Sequence, residues 1–489
     1  MKRFLTILPI YTFLFIIFFI FHGYTTNYNI VPFKDSLVLI GIYFLVAAGM
    51  LTLFYFFLKN IKKSALLTVF ILAYQFFFGS LHDTLKELFP GMLITKYSFL
   101  LPASLISFII LVIYVSRRKS NFTRLTLYLN LLFLILILVD LITLVSISNK
   151  PLSKNETTEI RLTACDTCSK PDIYLIVADG YPGNIQLKDL FHFDNSKFEN
   201  ALRERGFFIV DSSRSNYNFT QHSIASMLSL SYLKGITHVN SNKTDIQICR
   251  DKIKNSPVIS YFENEGYQFY NHSIFDSKEQ PSIATPSFLT RKLEPITRHT
   301  FTYRIMKDLG YHLVTTLKIP FMVKKYLTLD LINNQKIYSA TQKTVHKKAN
   351  KPKFVYTHLV MPHHPFFYDS TGKQLPLELL QDEFYYDKNA RISYLKYTNN
   401  ELLKLIDEIK ISSREPVIFL VGDHGIREIK ESFDQRYLFI NLNAILLPER
   451  NYDKLYKGMS NVNIFRFFLN EQFQQKLPLL EDSTIMITD

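Results

Sequence analysis

Residues 170–181 read KPDIYLIVADGY. From Asp172 to Ala178 the run is nearly all apolar, the pattern of a strand buried on both faces of a parallel sheet. It stops at Asp179-Gly180, a turn signal. Two later stretches repeat the design: FVYTHLV at Phe354–Val360 and PVIFLV at Pro416–Val421, the latter running into Gly422-Asp423-His424-Gly425. Ser196–Gly206 and Tyr394–Ile409 carry helical periodicity. Strands alternating with helices predict an α/β domain, residues 171–489, with a mainly parallel central sheet between helices.

The sequence upstream is different. Over 489 residues the chain is 48% hydrophobic, 15% aromatic and 20% charged, which excludes disorder and coiled coil. The apolar residues crowd into the first 150 positions. Five stretches there, Phe4–Phe21, Ser36–Leu58, Ser64–Leu81, Tyr97–Val115 and Leu125–Ile147, each approach the roughly 20 residues that cross a ~30 Å hydrocarbon core. The first follows Lys2 and Arg3, but its apolar core is long and no small-x-small cleavage site follows, so it reads as an uncleaved anchor. Residues 1–147 are thus expected to form a transmembrane domain of five helices, and the polar residues 148–170 a linker.

Orientation follows from charge. With Met1 cytoplasmic, the inner segments carry Lys2, Arg3, Lys59, Lys62, Lys63, Arg117, Arg118, Lys119 and Arg124, and the outer ones only Lys34, Lys86 and Lys96. Five spans then put the α/β domain outside the cytoplasm, in an integral, multi-pass protein of the cell membrane. The net charge is +14, and 13 of the 56 basic residues stand in 1–150 against four acids. Membrane orientation explains that excess better than nucleic-acid binding, so no nucleic-acid partner is expected. Asp140, near the outer end of the last span, reads as a carboxylate facing another helix. Paired intramembrane polar segments of the kind transporters use are missing. Arg291–Lys353 is basic and includes Ile319–Val323 beside Lys324-Lys325, a stretch suited to anionic lipid or to a solvated insertion.

Cys165-Asp166-Thr167-Cys168 has metal or redox spacing, but the only other cysteine is Cys249, so a local disulfide or two idle thiols is expected rather than zinc. The chemistry lies instead at strand ends, where open α/β sheets bind ligands. Asp179 and the pair Asp423-His424 each follow a buried strand; together they offer two carboxylates and an imidazole, a partial shell for one divalent metal, Zn²⁺ or Mn²⁺ rather than Mg²⁺. Thr220 precedes or opens a helix expected over Gln221–Leu233. There the open backbone N–H groups and helix dipole favour an alkoxide or phosphate, and a metal would lower the hydroxyl pKa further. Alone, Thr220 would be an ordinary N-cap, and Ser223 and Ser226 are rival hydroxyls. His358 closes a third strand and His363-His364-Pro365-Phe366 follows in a turn; either His358 or His363 could protonate a leaving oxygen.

These stretches, with SRSNYNFTQHSIASMLS (213–229), FVYTHLVMPHHPFF (354–367), VIFLVGDHGIRE (417–428) and FINLNAILLP (439–448), resemble the membrane-anchored members of the alkaline phosphatase/sulfatase superfamily. The nearest likeness is to the lipoteichoic acid synthase and phosphoethanolamine transferase group. The resemblance implies that Asp179, Thr220, Asp423 and His424 bind the metal and that Thr220 is the nucleophile; His358 and His363 reproduce the His-x4-His spacing of phosphoethanolamine transferases, and His363 alone fits the His-x-Pro-Phe turn of the lipoteichoic acid synthase type, where the His contacts substrate. It implies a phospholipid donor and a glycan or lipid acceptor. The chain also departs from the wider superfamily. It lacks the C/S-x-P/A-x-R setting of sulfatases near Thr220, Gly180 replaces their second acid after the first strand, and no further Asp/His set of the two-metal phosphatases is found. The expected activity is therefore a single-metal transferase moving phosphoglycerol or phosphoethanolamine through a phospho-threonine. A sulfatase-like hydrolase of surface phosphate or sulfate esters, or an idle membrane scaffold, are the other readings.

Overall fold

The computed structural model describes residues 8–28, 31, 33–148, 160–234, 236, 243–278, 280–284, 293–306, 327–380 and 385–488. The chain forms two compact units: Met1–Glu156 with Pro286–Val323, and Thr157–Thr285 with Lys324–Asp489. Of the stretch between the two parts of the second unit, residues 293–306 are described, and they group with the helical unit. Lys2 and Arg3, the first four residues of the opening apolar stretch, linker residues 149–159 and the stretch 319–325 lie outside the described residues.

Among the described residues of the helical unit, four helices are long and apolar enough to cross a membrane: α2 (Phe33–Leu58), α3 (Ile61–Leu88), α4 (Tyr97–Arg117) and α5 (Thr123–Ser148). The first apolar stretch yields α1, Tyr11–Thr26, of 16 residues. At about 1.5 Å per residue it extends some 24 Å, short of a ~30 Å core. Aromatic side chains bury it among its neighbours: Tyr11, Phe15, Ile16 and Ile20 pack with Ala47, Leu72, Phe76 and Phe133. Polar contacts fix its register on α5, where Tyr11 N donates to Asn130 Oδ1 at 2.7 Å and His22 Nδ1 meets Asp140 Oδ1 at 2.9 Å. Asp140 therefore faces another helix, as expected. Elsewhere on the helices Leu45, Phe57 and Ile110 are exposed, an outer surface suited to acyl chains.

Residues 293–306 fold as two short helices, Glu294–Thr297 and Phe301–Arg304, the second capped by Thr300 Oγ1 accepting from Tyr303 N at 3.3 Å. They pack neither as a solvated insertion nor on lipid alone, but against α1 and α3. Ile296 lies on Gly23, Gly79 N donates to His299 O at 2.7 Å, Gln75 Nε2 donates to Thr302 Oγ1 at 2.7 Å, and Arg304 pairs with Asp83. Gly79 has to be glycine: a Cβ there would stand 2.6 Å from His299 Cα. The reason for the reassignment is complementarity, because the segment supplies both the apolar and the charged partners these helix faces lack.

The second unit is built on a six-stranded sheet in the order β2-β6-β5-β1-β4-β3. The strands are β1 (Ile173–Ala178), β2 (Phe208–Ile209), β3 (Gln268–His272), β4 (Lys353–Leu359), β5 (Val417–Gly422) and β6 (Asn443–Leu446). β3, β4, β1 and β5 run parallel, and β6 and β2 close one edge antiparallel, so the sheet is mixed with a parallel centre. β1, β4 and β5 are buried along their whole length, the physical counterpart of their unbroken apolar runs. One face packs on α7 (Thr220–Leu228) and α10 (Asn461–Phe473), burying Leu175, Val177, Phe419, Ile224, Phe465 and Phe468. The other meets α8 (Leu329–His346) and α9 (Lys388–Ser412): Thr357 Oγ1 bonds Thr341 Oγ1 at 2.9 Å, and Tyr174 OH bonds Ser413 Oγ, just past α9, at 2.9 Å. The helix expected at Ser196–Gly206 is α6, Ser196–Glu204. Cys165 and Cys168 form a disulfide, and Cys249 is buried and free.

Candidate active site

Register brings the strand-end residues together. β1 is central, with Val177 opposite His358 on one side and Ala178 opposite Gly422 on the other. The residues that follow, Asp179 and Asp423, therefore emerge side by side at the carboxyl edge, with His358 one strand away. Gly180 adopts φ +65°, a conformation glycine favours, and stands against His363 and His424, where a Cβ would lie 3.5 and 3.6 Å from their rings.

Asp423 is fully buried, and its two oxygens differ. Oδ1 accepts from Gly180 N at 2.7 Å and His424 N at 3.0 Å, whereas Oδ2 has no hydrogen bond and stands 3.5 Å from His424 Nε2. Asp179 shows the same asymmetry: Oδ1 has no hydrogen-bond partner, and Oδ2 is 3.6 Å from His358 Nε2. His424 Nδ1 donates to Gly425 O at 2.7 Å, which leaves the Nε2 lone pair facing Asp179 Oδ1 at 3.7 Å. His358 Nδ1 bonds Tyr356 OH at 3.0 Å, so its unpartnered Nε2 also points at the carboxylates. Asp179, His358 and Asp423 each offer a ligand atom within 4.8 Å of the others. Buried carboxylate oxygens and imidazole nitrogens without partners are costly. Two carboxylates and one imidazole this close together form a group that a divalent cation would satisfy, with His424 Nε2 beside it.

Thr220 is the first residue of α7, and its Oγ1 is 3.3 Å from His424 Nε2. The rival hydroxyls are elsewhere occupied or enclosed: Ser226 Oγ donates to Ser231 O at 2.9 Å, and Ser223 is buried with its hydroxyl unbonded. Of the three, only Thr220 bonds a residue of the cluster.

His363 lies on the open side, its side chain 22% exposed, with Nδ1 donating to His364 O at 2.7 Å and Nε2 3.7 Å from Glu428 Oε1. Burial alone would lower its pKa, but the charges of Asp179 and Glu428 outweigh burial and raise it. Glu428 responds in the opposite sense. Burial pushes its pKa upward, yet His363, Arg391 and Arg427 bring it down to about 2. For Asp179, burial is likewise overcome, here by the neighbouring imidazoles of His358, His363 and His424, which hold it below the usual carboxylate range.

The six residues expected from the sequence thus gather at one sheet edge, but His358 sits with the buried ligand atoms rather than on the open side with His363. Sequence reading missed Tyr356, Arg391, Arg427 and Glu428. Tyr356 carried a signal, since positions two apart on a strand share a face. Arg427 and Glu428 follow Asp423-His424-Gly425 so closely that the same loop had to present them.

Among solved structures, the chain is similar to the C-terminal periplasmic domain of EcEptC from Escherichia coli in complex with Zn, at 12% identity, over 64% of this chain and 86% of that one, TM-score 0.39. It is also similar to the C-terminal periplasmic domain of the phosphoethanolamine transferase EptC from Campylobacter jejuni, at 16% identity, 63% and 90% coverage, TM-score 0.35. A third likeness is to the putative sulfatase yidJ from Bacteroides fragilis, at 14% identity, 65% and 77% coverage, TM-score 0.39. No family model matches the chain, and no curated protein does.

Proposed function

We propose that this chain is a membrane-anchored enzyme that moves the phosphoryl headgroup of a phospholipid, phosphoglycerol or phosphoethanolamine, to a glycan or lipid hydroxyl through a phosphorylated Thr220. The observation that carries this reading is the approach of Thr220 Oγ1 to His424 Nε2, 3.3 Å, at a helix start beside three unpartnered ligand atoms. Asp179, Asp423, His424 and Thr220, joined by His358, would hold one divalent cation, Zn²⁺ or Mn²⁺ by donor type, which supplies Lewis-acid charge that lowers the hydroxyl pKa and neutralises phosphoryl oxygens.

The chain's own residues do the rest. Thr220 Oγ, its proton released to solvent beforehand, attacks phosphorus in line, forming the Oγ–P bond as the bond to the diacylglycerol oxygen breaks, and it leaves deprotonated again in the second step. The N–H groups that open α7 face the phosphoryl oxygens. His363, whose hold on a proton Asp179 and Glu428 strengthen, gives its proton to the departing oxygen. Neutral His363 then takes the proton of the acceptor hydroxyl as that oxygen displaces Thr220. His358 is too enclosed for this exchange: it is fully buried and its Nε2 faces Asp179.

A lipid donor favours a site beside the outer leaflet. We therefore read α1 as the first of five spans, shortened to 16 residues by burial among its neighbours, with the sheet unit outside the cytoplasm. The test is mass spectrometry of the purified full-length protein after incubation with mixed phospholipids and Zn²⁺. A phosphoglycerol or phosphoethanolamine adduct on Thr220, lost when a glycan or lipid acceptor is added, supports the reading. An adduct on another residue, or none at all, overturns it.

A further inference from the structure

The charged residues on the open side of the site are not equally committed. Arg391 is buried, 4% exposed, and its NH2 group lies 3.4 Å from Glu428 Oε2. Arg427 stands differently. Its side chain is 24% exposed, yet Nε is buried and makes no hydrogen bond among the described residues; the nearest carboxylate oxygen, Glu428 Oε1, is 3.8 Å away. The guanidinium carbon is 4.6 Å from the ring centre of Phe219, the N-cap residue of α7 and the one immediately before Thr220. His363 Nε2 reaches the same Glu428 oxygen at 3.7 Å. Arg427 and the His363 imidazole thus flank one carboxylate oxygen at the half-open rim, while every expected metal ligand except Thr220 is buried.

Glu428 oxygens cannot satisfy this arrangement. One carboxylate is shared between the guanidinium groups of Arg391 and Arg427, so positive charge is left over on the side where Thr220 is reached. A buried donor without an acceptor costs on the order of 1–3 kcal/mol, and a planar guanidinium stacked on an aromatic ring is held still for two-pronged bonding to an oxyanion. Neither the metal ligands nor His363 uses Arg427, and its neighbours give it no partner of its own.

We infer that Arg427 is a substrate-binding residue whose guanidinium, seated on Phe219, receives the non-bridging oxygens of the phosphoryl group presented to Thr220. This rests on the reading of Thr220 as nucleophile, and it adds a selection rule: the site takes phosphate esters whose free oxygens are anionic. Phe219 acts as the shelf that sets the height of the guanidinium, so a residue with no ring there loosens the anion grip while leaving the ligand atoms in place.

The experiment uses full-length, Zn²⁺-loaded protein in detergent with inorganic phosphate as probe, read by titration calorimetry. Arg427→Ala is expected to weaken phosphate binding about tenfold or more, with Arg427→Lys in between. Added guanidinium chloride should restore part of the binding to Arg427→Ala and do nothing for wild type. Zinc content of each variant separates this loss from misfolding. Phosphate binding by Arg427→Ala within about twofold of wild type at equal zinc content, or no gain from guanidinium, overturns the assignment. The underlying reading fails separately: absence of a Thr220 adduct in wild type, with phosphate binding still dependent on Arg427, would sink the transfer step and leave the anion subsite standing.

Discussion

Gly180 donates its backbone N–H to Oδ1 of Asp423 at 2.7 Å, although 243 residues separate them in the chain. This bond, joined by that from His424 N, decides which oxygen of Asp423 stays free. The turn after β1 therefore orients the ligand after β5. Geometry of this kind needs both strands in register, which ties the chemistry of the site to the folding of the sheet.

Thr220→Ala should abolish both turnover and the phospho-adduct while leaving the melting temperature near that of wild type, because Thr220 is half-exposed and its side chain caps nothing in α7. Thr220→Ser should retain part of the activity, since it keeps the hydroxyl. Adduct mapping of the three proteins checks this; full activity in the alanine protein would move the nucleophile elsewhere.

Asp423→Asn should lower zinc occupancy in elemental analysis, yet raise the stability of the metal-free protein by about 1 kcal/mol, because one of two crowded buried carboxylates becomes neutral. The asparagine Oδ1 can still accept from Gly180 and His424. Melting curves with and without Zn²⁺ should show a large metal-dependent rise for wild type and a small one for the variant. An unchanged zinc content would remove Asp423 from the ligand set.

Glu428→Gln should shift the alkaline limb of the pH–rate profile toward lower pH. The wild-type carboxylate raises the pKa of His363, so its removal brings that pKa down and His363 loses its proton earlier as pH rises. The stability terms have opposite windows. The His363 contribution is complete below about pH 6.5 and fades as pH rises through the elevated native value. The Glu428 contribution is complete above about pH 4.3 and fades as pH falls toward its native value, about 2. A profile that does not move would detach Glu428 from His363.

Arg391→Met should destabilise the protein by about 3 kcal/mol, because it removes the buried cation paired with Oε2 of the buried Glu428 carboxylate. Adding Glu428→Gln should recover much of that loss, since the charge left behind is gone. Thermal melts of the single and double variants test the coupling, and purely additive effects would refute it.

The strands β1, β4 and β5 were legible because a segment buried on both faces must be apolar throughout, and each break in that pattern revealed a residue of the candidate site: Asp179, His358, Asp423. Thr220 was legible as a helix start. Arg391 was not, because an arginine within the 25-residue α9 (Lys388–Ser412) reads as a solvated helix face, and it takes the fold to bring Glu428, 37 residues on, and Phe366 against it. Residues 293–306 were equally opaque. Two four-residue helices carry too little periodicity to reveal a partner, and the glycine that receives them, Gly79, looks like any small residue of a membrane helix.

That segment also imposes an order on biosynthesis. α1 and α3 leave the ribosome more than 200 residues before the piece that covers Gly79, Asp83 and Gln75. Until His299 and Arg304 arrive, a carboxylate and an amide on α3 wait without the partners they will have in the finished protein. The helical unit is completed only late in translation, after β1, α7 and β3 have already been made.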